Sequence, residues 1–148
     1  KIRHAGIITG IGRDRAAGLA HYGFDKRYIG YMGRLCYLQD VSALGKDAIM
    51  VKCTDFVNAR GFDEGYEEAF YDVAFCLKLR QKGLLNGFNP YAEAISDREQ
   101  ILLGNDSESY SKDLQKFKKD FAAELEKVDP YYNANLTVDD TDYSILRG

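Results

Sequence analysis

The sequence predicts an α/β or α+β domain, because short strand-like runs alternate with helical segments along its 148 residues. Hydrophobic residues make up 45% of the chain and charged residues 29%, the balance of a globular protein with its own core. The length predicts one domain, numbered 1–148. Neither internal repeats nor low-complexity tracts interrupt it.

The first quarter of the chain predicts a strand followed by a long loop. The strand covers residues 2–9, and because the chain begins inside it at Lys1, without a Met, we expect a part of a longer protein. Residues 10–34 hold six glycines and little periodicity, which is typical of a functional or disordered loop. After it we predict strands at 35–38 and 41–44, a buried strand at 47–52, and a short helix from an N-cap at Thr54 to Arg60 and Gly61.

Apolar periodicity predicts two longer helices. One covers residues 67–82 and ends before Gly83, and the other covers 109–128 and ends before Pro130. Between them we predict strands at 84–88 and 91–95 and a capped helix at 96–103.

Charge and cysteine content exclude several classes of protein. The net charge of −3 argues against a dedicated nucleic-acid binder, and no apolar run approaches the roughly 18 residues of a membrane span. Residues 1–34 carry seven basic and two acidic side chains, which fits a phosphate-bearing or membrane-surface ligand, although a solvated loop is the commoner cause of such a run. The three cysteines lack a C-x-x-C pair, which excludes a disulfide framework and a zinc site and indicates a reducing compartment.

Asp72 is the most informative single residue. In a helix it shares a face with Phe75, Cys76 and Leu79, and an acid at the head of an apolar stripe is costly unless it is hydrogen-bonded, capping or catalytic. Two interpretations stay open. The residue is either a helix-start aspartate satisfied by backbone N–H groups, or a general base aimed into a cleft.

Several short motifs follow one another along nearly the whole chain. They are HAGII at 4–8, VSA at 41–43, GFDE at 61–64, AFYDVAFCLKLR at 69–80, NPYAE at 89–93 and DPYYNANL at 129–136. In this order they resemble the C-terminal, acceptor-side half of bacterial family 2 glycosyltransferases of the cell-surface polysaccharide type.

The resemblance implies a fold and a mechanism. It implies the C-terminal part of a GT-A fold, α/β with a mixed sheet and flanking helices, whose nucleotide-binding half and D-x-D metal motif lie outside this chain. Asp72 matches the aspartate that deprotonates the acceptor hydroxyl in an inverting transfer. The residues implied to bind acceptor or donor are Gly45, Lys46, Asp47, Glu64, His4 and Arg80.

The resemblance also implies ligands and a location. The donor is a nucleotide-diphospho-sugar and the acceptor a glycan or a lipid-linked glycan. A divalent metal, Mn or Mg, is expected in the full-length enzyme, with its ligands mostly outside this chain and none assigned within it. The implied enzyme is cytoplasmic, at the inner face of the membrane. We expect the isolated chain to be inactive and to self-associate through the face that the missing half would cover.

Three departures from the family pattern favour an alternative. Ala74 stands where the family has a second aspartate, residues 94–97, which include Ser96, lack the family's histidine, and residues 45–47 replace its Thr-Gly-Ala. The alternative is a catalytically inactive descendant of the same fold that binds carbohydrate or a partner. A third hypothesis, an unrelated structural module, requires the order of the motifs to be chance.

Overall fold

The computed structural model describes residues 2–4, 33, 36–46, 49–91, 107–136 and 145, with eight strands and helices among them. In chain order these are β1 (Ile2–His4), β2 (Gln39–Val41), β3 (Ile49–Met50), α1 (Cys53–Asn58), α2 (Tyr71–Gln81), β4 (Asn86–Phe88), α3 (Glu108–Asp120) and α4 (Ala122–Leu125). In these ranges no helix is long and apolar enough to cross a membrane. The predicted loop 10–34, strand 91–95 and helix 96–103 lie outside the described residues, apart from Gly33 and Tyr91.

The four strands form one sheet in the order β2-β4-β1-β3. In the middle of the sheet β1 and β4 run parallel, with Ile2 paired to Asn86. The two outer strands run antiparallel to their neighbours, with Val41 of β2 paired to Asn86 and Ile49 of β3 paired to His4. The sheet is therefore mixed, and the predicted α/β class is confirmed.

Three of the predicted strands differ from the strands of the structure. The predicted strands 35–38 and 41–44 are replaced by β2, which ends at Val41 because the chain then turns away to pack on α2. Of the predicted buried strand 47–52, residues 47 and 48 lie outside the described residues, and β3 covers Ile49–Met50, with Met50 72% exposed. Among the described strands β3 lies at the edge of the sheet, so the contiguous apolar run does not correspond to a strand buried on both faces.

The core is built around α2. Six of its eleven residues are buried: Val73, Ala74, Phe75, Cys76, Leu77 and Leu79. The predicted stripe of Phe75, Cys76 and Leu79 is confirmed, with all three at most 1% exposed. Phe88 of β4 and Phe117 of α3 belong to the same cluster, so the helix is enclosed by sheet and helices and is apolar around most of its circumference.

The helix predicted over 67–82 begins later and ends as expected. Phe70, its N-cap residue, has a φ of 65°, and α2 starts at Tyr71. The backbone N–H groups of the residues before Phe70 point to the Asp113 carboxylate instead of continuing a helix. At the other end Gly83 has a φ of 78°, a left-handed conformation that glycine adopts without a Cβ penalty.

The helix predicted over 109–128 is interrupted near its end. Ser107 is its N-cap residue and accepts a 2.9 Å hydrogen bond from the backbone nitrogen of Tyr110. Phe121, with φ −120° and ψ 24°, separates α3 from α4. Its ring is buried and lies 5.2 Å from that of Phe117, so the apolar spacing that predicted one helix is satisfied across the break.

The short helix α1 has Lys52, not the predicted Thr54, as its N-cap residue. It ends at Asn58 with Ala59 as its C-cap residue, close to the predicted end at Arg60 and Gly61, both of which have a φ of 61°. A Cβ atom on Gly61 would lie 3.0 Å from the Cζ atom of Phe56, so glycine is favoured here by the available space as well as by its conformation.

Candidate functional site

The first turn of α2 holds the Asp72 carboxylate between two backbone donors. Its Oδ1 accepts a 2.9 Å hydrogen bond from the nitrogen of Val73, and its Oδ2 accepts one of 2.9 Å from the nitrogen of Lys46. An acid in this turn also lies at the positive end of the helix dipole. Each carboxylate oxygen has two lone pairs, so these two bonds leave acceptor capacity on both.

Burial dominates the electrostatics of Asp72. Desolvation of the half-buried carboxyl raises its pKa, against the hydrogen bonds from Val73 and Lys46 and the positive charge of Lys46, all of which lower it. The net result is a pKa above the ordinary value for an aspartate. A carboxylate of raised pKa is a stronger base than a solvated one, which is the direction that proton abstraction requires.

The loop that reaches Asp72 is fixed to α2 and to β4. The nitrogen of Leu44 lies 3.4 Å from the Cys76 sulfur, whose thiol donates in turn to the Leu44 carbonyl. The Asn86 side chain donates to the carbonyls of Ser42 and Cys76, at 2.9 and 3.2 Å. Residues 42–45 are all buried, so the backbone nitrogen of Lys46 follows directly on a buried, hydrogen-bonded segment.

A second carboxylate, Asp113 of α3, holds the turn that leads into α2. It is 2% exposed and accepts hydrogen bonds from the backbone nitrogens of Glu67, Glu68 and Ala69, at distances between 2.8 and 3.1 Å. Burial acts to raise the pKa of Asp113, but these three bonds and the charge of Lys116 outweigh it, and the pKa is lowered.

Sequence reasoning missed Asp113, although the signal was present. Asp113 lies three residues after Tyr110 and four before Phe117, both of them buried. An acid on the apolar stripe of a helix is the same anomaly that singled out Asp72. The sequence alone does not say which backbone groups satisfy it.

The structure brings three of the predicted site residues together. Gly45 is buried in the anchored loop, Lys46 follows it, and the backbone of Lys46 contacts Asp72. The ammonium group of Lys46 also lies over the ring of Tyr71, 5.2 Å from its centroid. These groups surround the first turn of α2, and they make up the candidate site.

Other predicted site residues lie elsewhere. Arg80 is eight residues beyond Asp72 on the same helix, roughly 12 Å further along its axis, where it pairs with Glu124. Glu64 is exposed in the turn before α2, and its neighbour Asp63 makes the hydrogen bond and ion pairs there. His4 ends β1 in the middle of the sheet, and Asp47 lies outside the described residues.

The described part of the chain was compared with what a site for the implied divalent ion needs. Among those residues no three or more His, Cys, Asp or Glu side chains cluster as a metal site needs. A divalent metal therefore stays a prediction about the full-length enzyme.

Comparison with known proteins finds a distant relative. No family model matches the chain, and no solved structure does. The chain is similar to a protein of Sinorhizobium fredii (strain NBRC 101917 / NGR234) described as uncharacterized protein y4gI, with 29% identity over 148 residues. The match covers 97% of this chain and 16% of that protein. The chain thus corresponds to about a sixth of the relative's length.

Proposed function

We propose that this chain is the acceptor-side part of an inverting glycosyltransferase with a GT-A fold. The full-length enzyme would transfer a sugar from a nucleotide-diphospho-sugar to a glycan or lipid-linked acceptor during cell-surface polysaccharide synthesis. One observation carries the proposal. The Asp72 carboxylate, which the motif series marks as the base, is half-buried and held in place by backbone donors, and its pKa is raised.

In the proposed reaction Asp72 accepts the proton of the acceptor hydroxyl. The hydroxyl oxygen attacks the anomeric carbon of the donor, and the bond from that carbon to the diphosphate breaks on the opposite face, so the configuration inverts. The backbone nitrogens of Val73 and Lys46 orient the carboxylate and leave lone pairs for the incoming hydroxyl. Lys46 thereby serves the reaction through its main chain, and its side chain borders the same site.

The test is an Asp72→Asn substitution in the full-length enzyme, assayed against a panel of nucleotide sugars with Mn²⁺ or Mg²⁺. Loss of a general base lowers the rate by roughly 10² to 10⁴. Glu108→Gln, at a side chain that is 83% exposed on α3, is the matched control and leaves turnover unchanged. If Asp72 only caps the helix, Asn replaces it with little loss of activity, because Asn and Asp cap about equally well.

A second candidate is a catalytically inactive descendant that binds carbohydrate or a partner. It is favoured by Ala74, which stands where the family has a second aspartate and is fully buried in the core. A carboxylate at that position would be enclosed among apolar side chains, so this part of the family's site is absent. Saturable binding of a nucleotide sugar or glycan by the full-length protein, without turnover of any donor, would favour this candidate.

The proposal extends to location and assembly. We propose a cytoplasmic enzyme at the inner face of the membrane, where a lipid-linked acceptor is reached without a membrane span in this chain. We also propose that the isolated chain self-associates through the surface that the rest of the protein would cover. Light scattering of the isolated chain at high concentration tests this, and a clean monomer would contradict it.

A further inference from the structure

A cleft of about 660 Å³ lies between the last turn of α2 and the segment that follows α3. Arg80 and Glu124 contribute charged groups to its wall, and Leu125, Pro130 and Leu136 contribute an apolar surface. The size matches that of small-molecule sites, which combine an apolar lining with a few convergent polar groups. It is a different place from the first turn of α2, where Asp72 lies.

The Arg80 guanidinium is held in the cleft wall but is not satisfied there. Its side chain is 16% exposed, and its Cζ atom lies 5.4 Å from the centroid of the Tyr131 ring. Its Nη2 is 3.7 Å from Glu124 Oε1, longer than a hydrogen bond. Among the described residues, Nη1 is buried without any acceptor. A buried donor without a partner is rare, and a bound water or ligand is the usual explanation.

Glu124 is shared between two cations. Its second oxygen, Oε2, lies 3.1 Å from Nζ of Lys127, so the carboxylate is neutralised whether or not it stays near Arg80. Asp129, the other acid of the cleft wall, is engaged by the hydroxyl of Ser42 and by the backbone nitrogen of Tyr131. A shift of Glu124 towards Lys127 would open the guanidinium to an incoming acceptor.

We propose that this cleft binds a small organic oxyanion, a carboxylate or a phosphate monoester, with its oxygens on the Arg80 guanidinium and its apolar body against Leu125, Pro130 and Leu136. Arginine suits this role, because its planar fork donates two parallel hydrogen bonds to either oxyanion and its stacking on Tyr131 holds the fork in place. The site goes beyond the proposed transfer reaction and does not depend on it.

The experiment titrates the full-length protein, isotopically labelled, by NMR at constant ionic strength with three probes that each carry one phenyl ring. Benzoate presents a carboxylate, phenyl phosphate presents a phosphate, and benzyl alcohol is the neutral control. We expect saturable shifts at Arg80 and in residues 124–136 with at least one of the two oxyanions, and none with the alcohol. The oxyanion that binds more tightly identifies the class of ligand.

Three variants separate this site from general charge attraction. Arg80→Gln weakens oxyanion binding by roughly tenfold or more, as expected for a charged hydrogen bond. Lys82→Gln removes one positive charge from the exposed end of the same helix and changes binding by less than about twofold. Glu124→Gln removes the competing carboxylate, and binding becomes tighter.

Several results would overturn the proposal. These are shifts that do not saturate with either oxyanion, equal binding of benzyl alcohol, an equal loss in Lys82→Gln, or weaker binding in Glu124→Gln. If Arg80→Gln does not fold, the opposite sign expected for Glu124→Gln and the neutral probe decide the question without it.

Discussion

One carboxylate oxygen of Asp113 lies 2.8 Å from the backbone nitrogen of Ala69, three residues before Asp72. The two acids are on different helices, and the first fixes the turn from which the helix of the second begins. The backbone N–H groups of residues 67–69 donate to the Asp113 carboxylate, and α2 does not extend backwards over these residues. The position of Asp72 in the first turn of α2 therefore depends on a residue of α3.

Removing the Asp113 carboxylate should destabilise the fold. Asp113→Ala leaves three backbone N–H groups without their acceptor, and we expect the free energy of unfolding to fall by about 3 kcal/mol. Asp113→Asn keeps one acceptor oxygen, so its free energy of unfolding should lie between those of the parent chain and Asp113→Ala. Glu108→Gln on the same helix is the control, with a change of less than about 0.5 kcal/mol. Urea unfolding measures all three, and an Asp113→Ala variant as stable as the control would contradict the assignment.

The stabilising effect of Asp113 should depend on pH in one direction. Because its pKa is lowered in the folded chain, the unfolded chain takes up the proton first as the pH falls. The contribution is thus complete above about pH 4 and is lost as the pH falls through the lowered pKa of the folded state. We expect the difference in melting temperature between the parent chain and Asp113→Asn to become smaller as the pH falls below about 4. A difference that is constant from neutral to acidic pH would contradict the prediction.

Asp72 should shift stability in the opposite sense. Its pKa is raised by burial, so between the ordinary aspartate pKa and the raised one the folded chain binds more protons than the unfolded chain. The penalty for burying the charge is present above that window and is relieved as the pH falls through it. Compared with Asp72→Asn, which has no charge to bury, the parent should gain stability on mild acidification. Thermal melts of both chains at several pH values measure this change.

The three cysteines should differ in reactivity. Burial raises the pKa of the Cys76 thiol to about 12, and its sulfur lies against the backbone of Leu44. Cys36 and Cys53 are exposed. Because the thiolate is the reactive form, iodoacetamide should modify the two exposed residues in the folded chain and Cys76 only after unfolding. Mass spectrometry of native and denatured samples tests this, and rapid native labelling of Cys76 would contradict it.

Arg60 and Gly61, two neighbouring residues with a left-handed backbone conformation, should respond differently to substitution. Gly61→Ala adds a Cβ atom at 3.0 Å from Phe56 at a φ of 61°, and we expect a loss of about 1 to 3 kcal/mol. Arg60 has the same φ but is exposed, and Arg60→Gly relieves its strain while adding freedom to the unfolded chain. The two effects of Arg60→Gly are of similar size, so its stability should change by less than about 0.5 kcal/mol. Thermal unfolding of both variants compares them.

The parts of the fold that the sequence predicted well depend on local pattern. The apolar stripe of α2 and its end at Gly83 follow from periodicity and from the φ that only glycine adopts easily. The start of α2 was not predicted, because it is set by Asp113, which lies 41 positions after Asp72 in the chain. A sequence pattern relates residues that are close to one another along the chain. Asp113 comes close to the start of α2 only when the chain folds.

The candidate site, like the fold, was predicted from the sequence only in part. Asp72 was found because an acid on an apolar face is unusual, and its position in the first turn of α2 agrees with that reasoning. The Lys46 backbone nitrogen as its partner, and the pairing of Arg80 with Glu124, needed the structure. Helical geometry alone places Arg80 about two turns from Asp72, and a shared role for these two residues stays a prediction from the motif resemblance.

The central position of β1 in the sheet has a consequence for the order of assembly. Its three residues are the first described in the chain, yet they pair with β4, whose residues follow more than 80 positions later. On the other side β1 is the neighbour of β3 in the sheet order. The sheet therefore cannot grow progressively as the chain emerges from a ribosome, since its second strand in space must wait for residues 86–88. Closing so large a loop favours slow folding, and deletion of residues 2–4 would leave β3 without its neighbour in the sheet.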